Sequence, residues 1–286
     1  MAEWYLFLPQ VRLSAGDITE RARRAEASGF DGIAFIDHLE APGLPDESIW
    51  EAMGIATWVA AKTERLRIGH LVLCDAFRHP AVLAKQAVTL SEASGGRFEL
   101  GLGAGSWPAE FARFDVGQQD PRARVDQLDR HLRLLRQYWG DGTGEAAVAP
   151  QAPRRSYPIP LVLGGSGPRM MELVRRYADW WNLPAHQLDK LPTLATAAGT
   201  ARLSIQQLVG FVRSGADPDT VREVSTRRFG NLGSGLVYGD ARELVGHFSG
   251  LAGQGVERFY VWFADFAAPD SLHEFGESVI KPFPAP

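Results

Sequence analysis

Three times along this chain a helical stretch ends at glycine and hands over to a short apolar run. Ala25–Ile36 does so through Gly29, Ser91–Leu102 through Gly95-Gly96-Arg97, and Leu251–Phe263 through Gly253 and Gly255. The residue past a helix end often takes the left-handed backbone conformation, which only glycine reaches cheaply. The apolar runs that follow are too short for helices and nearly continuous, as strands buried on both faces should be. Between them the period is helical. Val125, Leu128, Leu132, Leu135 and Trp139 fall three or four apart, as do Leu83, Ala87 and Leu90, and Leu244, Phe248 and Leu251. Asp17 suits the N-cap of a first helix with Ile18, Ala22 and Ala25 on one side.

Strands alternating with one-sided helices imply a parallel sheet with right-handed crossovers. Strands are expected near 4–8, 31–36, 66–73, 98–103, 160–164, 179–182, 204–212 and 258–263, the run near 204–212 carrying Gln206 and Gln207. Eight strand-helix units in 286 residues predict an α/β fold, a (β/α)8 TIM barrel forming one domain over 1–286. A doubly wound open sheet satisfies the pattern as well. Gly105–Arg124 and Gly140–Tyr157 break the rhythm and read as long loops, after strand four and before strand five. Loops that follow barrel strands form the functional face.

Composition narrows the function. Apolar residues at 45% and charged residues at 22% exclude a disordered, collagen-like or coiled-coil chain. A net charge of −4 gives no electrostatic reason for a nucleic-acid or anionic-membrane partner. The single cysteine, Cys74, cannot form an internal disulfide, and no Cys/His set has metal-ligand spacing. Apolar runs such as Tyr260–Ala264 fall far short of the roughly 18 residues of a membrane span. The N-terminus lacks a basic lead and a small-residue cleavage site, so a cytoplasmic location is the default expectation.

Asp37-His38 ends the second apolar run, where a barrel strand delivers its side chains to the active face. Histidine moves protons near neutral pH and an adjacent carboxylate can hold it or a ligand hydroxyl; a plain strand-ending turn fits the same pair. Gly164-Gly165-Ser166-Gly167-Pro168 follows a strand and opens a helix with Pro168 at its first position. That is the layout of a phosphate site on backbone N–H groups, or of an ordinary strand-to-helix turn. Gly101-Leu102-Gly103-Ala104-Gly105 lacks the third glycine of a dinucleotide fingerprint, since Ser106 stands there and Trp107-Pro108 follow. What remains is a glycine-lined strand end, at Gly105 and Ser106, that a flat ring can approach. Cys74 reads as a buried, inert thiol, and Glu110, in the long loop after strand four, either faces the site or, the favoured reading, is a solvated carboxylate. Trp107, Phe111 and Phe114 form either an apolar pocket wall or core. No Gly-x-Ser-x-Gly elbow is present, and no lysine ends a strand to form a Schiff base.

With these residues the chain resembles the luciferase-like monooxygenase superfamily, in particular its branch that uses the deazaflavin coenzyme F420. The resemblance covers essentially the whole chain. It rests on Asp37-His38, on Phe77-Arg78-His79-Pro80-Ala81 with Ala84-Lys85, and on Ser94-Gly95-Gly96-Arg97 running into Leu100–Gly105. Further on it rests on Gly164–Gly167 with Tyr177-Ala178-Asp179 and Asn182, and on Gly255–Phe259 with Trp262-Phe263. The resemblance implies a barrel with the deazaflavin in its mouth, over a strand-three bulge that often carries a non-prolyl cis peptide, here at Leu71–Val72. It implies that Cys74 lies near the ring, that Gly164–Gly167 hold the coenzyme phosphate, that Asp37 binds ribityl hydroxyls or the ring edge, and that His38 handles the proton. It further implies a small-molecule substrate and, in many members, a homodimer. An FMN-dependent monooxygenase of the same fold is the alternative, and a non-catalytic flavin-carrying barrel a further one. The chain departs from the sugar-phosphate dehydrogenase members, which place Glu where Ser106 stands and an aromatic residue shortly after the Asp-His pair, where Leu39–Pro42 follow here.

Overall fold

The structure, a computed structural model, describes residues 2–141 and 148–284. Its centre is a wholly parallel sheet. β1 (Glu3–Phe7) pairs with β2 (Gly32–Phe35), and β2 with β3 (Arg67–His70). β4 (Leu73–Cys74) pairs with β5 (Leu100–Gly103), followed by β6 (Leu161–Gly164), β7 (Trp180–Pro184) and β8 (Arg202–Phe211). β10 (Val256–Phe263) lies between β8 and β1. β3 and β4 are two halves of one barrel strand, parted at a cis Leu71–Val72 peptide, and a bridge from Ile68 to Phe98 closes the ring. All eight strands expected from the sequence are therefore present. β9 (Leu236–Gly239) is additional: it flanks β8 from Leu208 onward, past the last pairing of β7 at Gln206.

Glycine serves the helix-to-strand hand-overs as expected, with positive φ at Gly29, Gly95, Gly96 and Gly255, although not at Gly253. The first helix, α1 (Ala15–Ala27), is capped differently from the expectation. Ser14 is the N-cap, and Asp17 is the third helical residue, which returns a bond to the Ser14 backbone. This reciprocal box satisfies two orphan N–H groups instead of one. α2 (Ala52–Ala60) and α3 (Pro80–Ala93) follow. The expected loop 105–124 contains a short helix, α4 (Pro108–Arg113), and the start of α5 (Pro121–Trp139). Within the second expected loop, residues 142–147 lie outside the described residues, and 148–157 carry neither helix nor strand. α5 buries Leu128, Leu132 and Leu135 fully, each worth about 2 kcal/mol of transfer free energy. α6 (Pro168–Tyr177) opens with Pro168 at its start, as the sequence predicts.

Most of the core lies between sheet and helices; inside the barrel Tyr5, Phe7, Ala34 and Tyr260 form a smaller cluster. Below them the N-terminal end of the barrel is shut by ions. Arg258, with no exposed surface, donates to Glu99 Oε2 at 2.6 Å and to Glu3 Oε2 at 2.6 Å, and lies over the Trp180 ring. Tyr5 Oη and Arg67 complete the shell of Glu99 at 2.9 and 3.0 Å. Gln207 in β8 is buried but satisfied, since it donates to Gly235 O and accepts from His247 Nε2 at 2.9 Å. No helix among the described residues is long and apolar enough to cross a membrane.

Candidate active site

With its lower end plugged, the barrel opens only where its strands finish. A cavity of about 400 Å³ lies there. Asp37 and His38 reach it from the end of β2, Leu71, Val72 and Cys74 from the divided third strand, and Gly105 and Ser106 from the end of β5. Gly164 and Gly165 enter from β6. Nine of the eleven residues nominated from the sequence thus border one space. Ser166 and Gly167 do not line it: Ser166 Oγ donates to Gln187 Oε1 at 2.6 Å, and Gly167 is the N-cap of α6.

His38 is held from one side. Its Nδ1 lies 3.0 Å from Glu110 Oε2, and Trp107 meets the ring edge-on at 5.9 Å. An ionised carboxylate can only accept, so against one Nδ1 is the donor of this bond and Nε2 is left with its lone pair. Glu110 is not the solvated carboxylate expected from its loop position. It is 1% exposed, and its Oε1 accepts from the Leu39 N–H at 2.6 Å. The physical reason is α4: Pro108 starts a helical turn that carries Glu110 inward against the loop after β2. Proline after Trp107 was the available signal.

Asp37 is similarly engaged. Its Oδ2 accepts from the Cys74 N–H at 2.8 Å and from Arg78 Nη1 at 2.6 Å, while Oδ1 accepts from Arg78 Nη2 at 3.0 Å. Arg78 also contacts Glu51. Burial works to lower the Arg78 guanidinium, but Asp37 and Glu51 raise it on balance, so the cation is permanent. Asp37 therefore ties the end of β2 to β4. The Cys74 thiol is pushed up to about 12, first by burial and then by the carboxylates around it, which leaves it neutral and non-nucleophilic near pH 7.

Two glycines at the mouth differ: one is packed against by side chains and the other is bare. Gly105 has φ +82°, and a Cβ there would stand 2.4 Å from the Phe111 ring and 3.0 Å from Cys74 Sγ. A Cβ on Gly164 would meet nothing within 4 Å, so the missing side chain leaves open space beside main-chain amides. A flat ring with an anionic tail fits such a lining: an apolar shelf at Leu71–Cys74 and main chain without side-chain cover at Gly164–Gly165. Phe111 forms part of the wall, whereas Phe114 is 40% exposed and stands away from it. Arg124, Met170, Asn182 and Gln206 also line the space, and sequence reasoning did not single them out for it.

The sequence model of the luciferase-like monooxygenase family matches residues 7–203. This chain belongs to that family. Among its relatives, the F420-dependent glucose-6-phosphate dehydrogenase of Kineococcus radiotolerans is 30% identical over 176 residues, covering 59% of this chain and 52% of that protein. The F420-dependent hydroxymycolic acid dehydrogenase of Mycobacterium tuberculosis is 29% identical over 214 residues, covering 71% and 56%. The match thus spans little more than half of either relative's length. In fold, this luciferase-like chain is similar to an F420-dependent secondary alcohol dehydrogenase solved with an F420–acetone adduct, at a TM-score of 0.76, 18% identity and 98% coverage of both chains.

Proposed function

We propose that this protein is an F420-dependent oxidoreductase that moves a hydride between the deazaflavin and a small organic substrate, with His38 as the proton-handling group. F420, when bound, supplies the carbon that gives or takes the hydride. The chain's own residues do the rest. Leu71, Val72 and Cys74 form the shelf for the ring, with Gly105 and Ser106 at its approach, and Asp37 fixes that shelf by gripping the Cys74 N–H. Gly164, Gly165, Ser166 and Gly167 offer amides at the start of α6, where the helix dipole adds positive potential for a phosphate. His38 Nε2 receives a proton from a substrate hydroxyl in one direction and returns it in the other, while Glu110 keeps the opposite nitrogen protonated.

The observation that carries this reading is the His38–Glu110 pair facing the same cavity as the bare Gly164–Gly165 backbone. The names of the F420-dependent relatives support the coenzyme. Ser106, in place of the acid of the sugar-phosphate members, argues against a sugar-phosphate substrate, and the ring of Trp107 beside His38 gives the reacting end an aromatic neighbour. The test is fluorescence titration of the purified protein with F420 and with FMN, followed by a single-turnover screen of alcohols and carbonyl compounds. Saturable F420 binding and hydride exchange with at least one compound are expected. Tight FMN binding without F420 binding would replace the deazaflavin reading with the monooxygenase one.

A further inference from the structure

One charged residue of the mouth has no role in the reading above. Arg124, at the start of α5, is 6% exposed and lines the cavity. Its Nη1 donates to the carbonyls of Gln118 and Gln119 at 3.0 and 2.8 Å, and its guanidinium packs over Phe111, 5.0 Å from the ring centroid. Nε is buried and has no partner. Among the described residues no carboxylate pairs with this cation. The other charges of the mouth are matched, Asp37 by Arg78 and Glu110 by His38. A buried cation without a counter-charge is costly, and two loop carbonyls occupy only one arm of a guanidinium built to bind oxyanions through several. The ion pair of Asp126 with Arg169 joins α5 to the first turn of α6. Arg124 borders the same space as the Gly164–Gly165 backbone.

We propose that Arg124 is an oxyanion-binding residue of the mouth, taking a phosphate or carboxylate group. Two sources offer that chemistry, the phosphate of the coenzyme and an anionic group on the substrate. The inference rests on the reading of the mouth as a coenzyme site. Binding would complete the guanidinium's hydrogen bonds and supply its missing counter-charge; a charge-assisted bond of this kind corresponds to about 10- to 100-fold in affinity.

The test compares wild-type, Arg124→Gln and Arg124→Lys proteins. Each is titrated with F420 and with the same deazaflavin lacking phosphate and tail, and the deazaflavin-loaded protein is then titrated with inorganic phosphate. If the coenzyme is the source, Arg124→Gln weakens F420 by about 10- to 100-fold, leaves the phosphate-free deazaflavin within about twofold, and Lys restores part of the loss. If the substrate is the source, both deazaflavin affinities hold, and the loaded wild-type protein binds phosphate while Arg124→Gln does not. Equal weakening of both deazaflavins without any phosphate dependence, the result of a purely loop-holding Arg124, overturns the proposal, as does no change in any titration. Wild-type protein that binds FMN and neither deazaflavin defeats the coenzyme reading instead, and FMN against riboflavin then gives the same contrast for Arg124.

Discussion

At the residue scale the proposed chemistry rests on two side chains that lie 72 positions apart in sequence, His38 and Glu110. His38 at the end of β2 is legible from sequence as a candidate, because a polar pair closing an apolar run stands at the barrel mouth, although a strand-ending turn fits the pair equally. Its partner is less legible: Pro108 marks the start of a helical turn in loop 105–124, but nothing local says that the turn faces inward. A double-mutant cycle tests the coupling. His38→Ala lowers turnover by about 10²- to 10⁴-fold while F420 affinity changes by less than about threefold. Glu110→Gln alone lowers turnover by about tenfold or more, and the double variant is no slower than His38→Ala. Losses that simply multiply in steady-state assays would show that the two residues act separately.

At the element scale the third strand sets the site. β3 and β4 are laterally bound to different neighbours, β2 and β5, and the segment between them forms the shelf. The neighbouring β5 must come very close. A Cβ on Gly101 would stand 1.8 Å from the His70 carbonyl oxygen, whereas one on Gly69 would meet its nearest atom at an ordinary 3.5 Å. Gly101→Ala is therefore predicted to cost about 3 kcal/mol or more, and Gly69→Ala clearly less. Urea unfolding of the two variants checks this, and equal midpoints would contradict it. The glycines of Leu100–Gly105 are thus packing devices and not a dinucleotide fingerprint. The element the sequence conceals is β9, four residues that follow Gly235 and end on Gly239, the one buried among them, too brief for any period to register. Likewise α4, at six residues, is under two turns and shows no apolar stripe. Strands buried along all or nearly all of their length, such as β1, β2, β5 and β6, are the ones that short apolar runs identify directly.

At the scale of the whole molecule the barrel separates stability from function by its two ends. The Arg258–Glu99–Glu3 network seals the lower end and leaves the upper end for ligands. His70, fully buried in the layer between sheet and helices with its Nε2 at Ala52 O, is predicted to make stability depend on pH. Burial lowers it to about 4. The unfolded chain takes up a proton near 6.5 and the folded chain resists it, so this contribution is fully present above about pH 6.5 and is lost as pH falls toward 4. Across that window it amounts to about 3 kcal/mol. Denaturation midpoints measured from pH 7.5 to 4.5 should fall more steeply for the wild type than for His70→Gln; parallel curves would remove His70 as the cause. The closure of eight strands into one ring is legible from the alternation of strand and helix, whereas the plug is not, because Glu3, Glu99 and Arg258 meet only once the ring has closed.

The central claim is that this upper opening holds a deazaflavin, and a crystal structure of the protein with F420 tests it most directly. The account predicts the ring against Leu71–Cys74 and Gly105, its reacting carbon on the side of His38 Nε2, and its phosphate at the amides of Gly164–Gly167. An empty mouth in crystals grown at saturating F420, or a coenzyme seated elsewhere on the molecule, would contradict it.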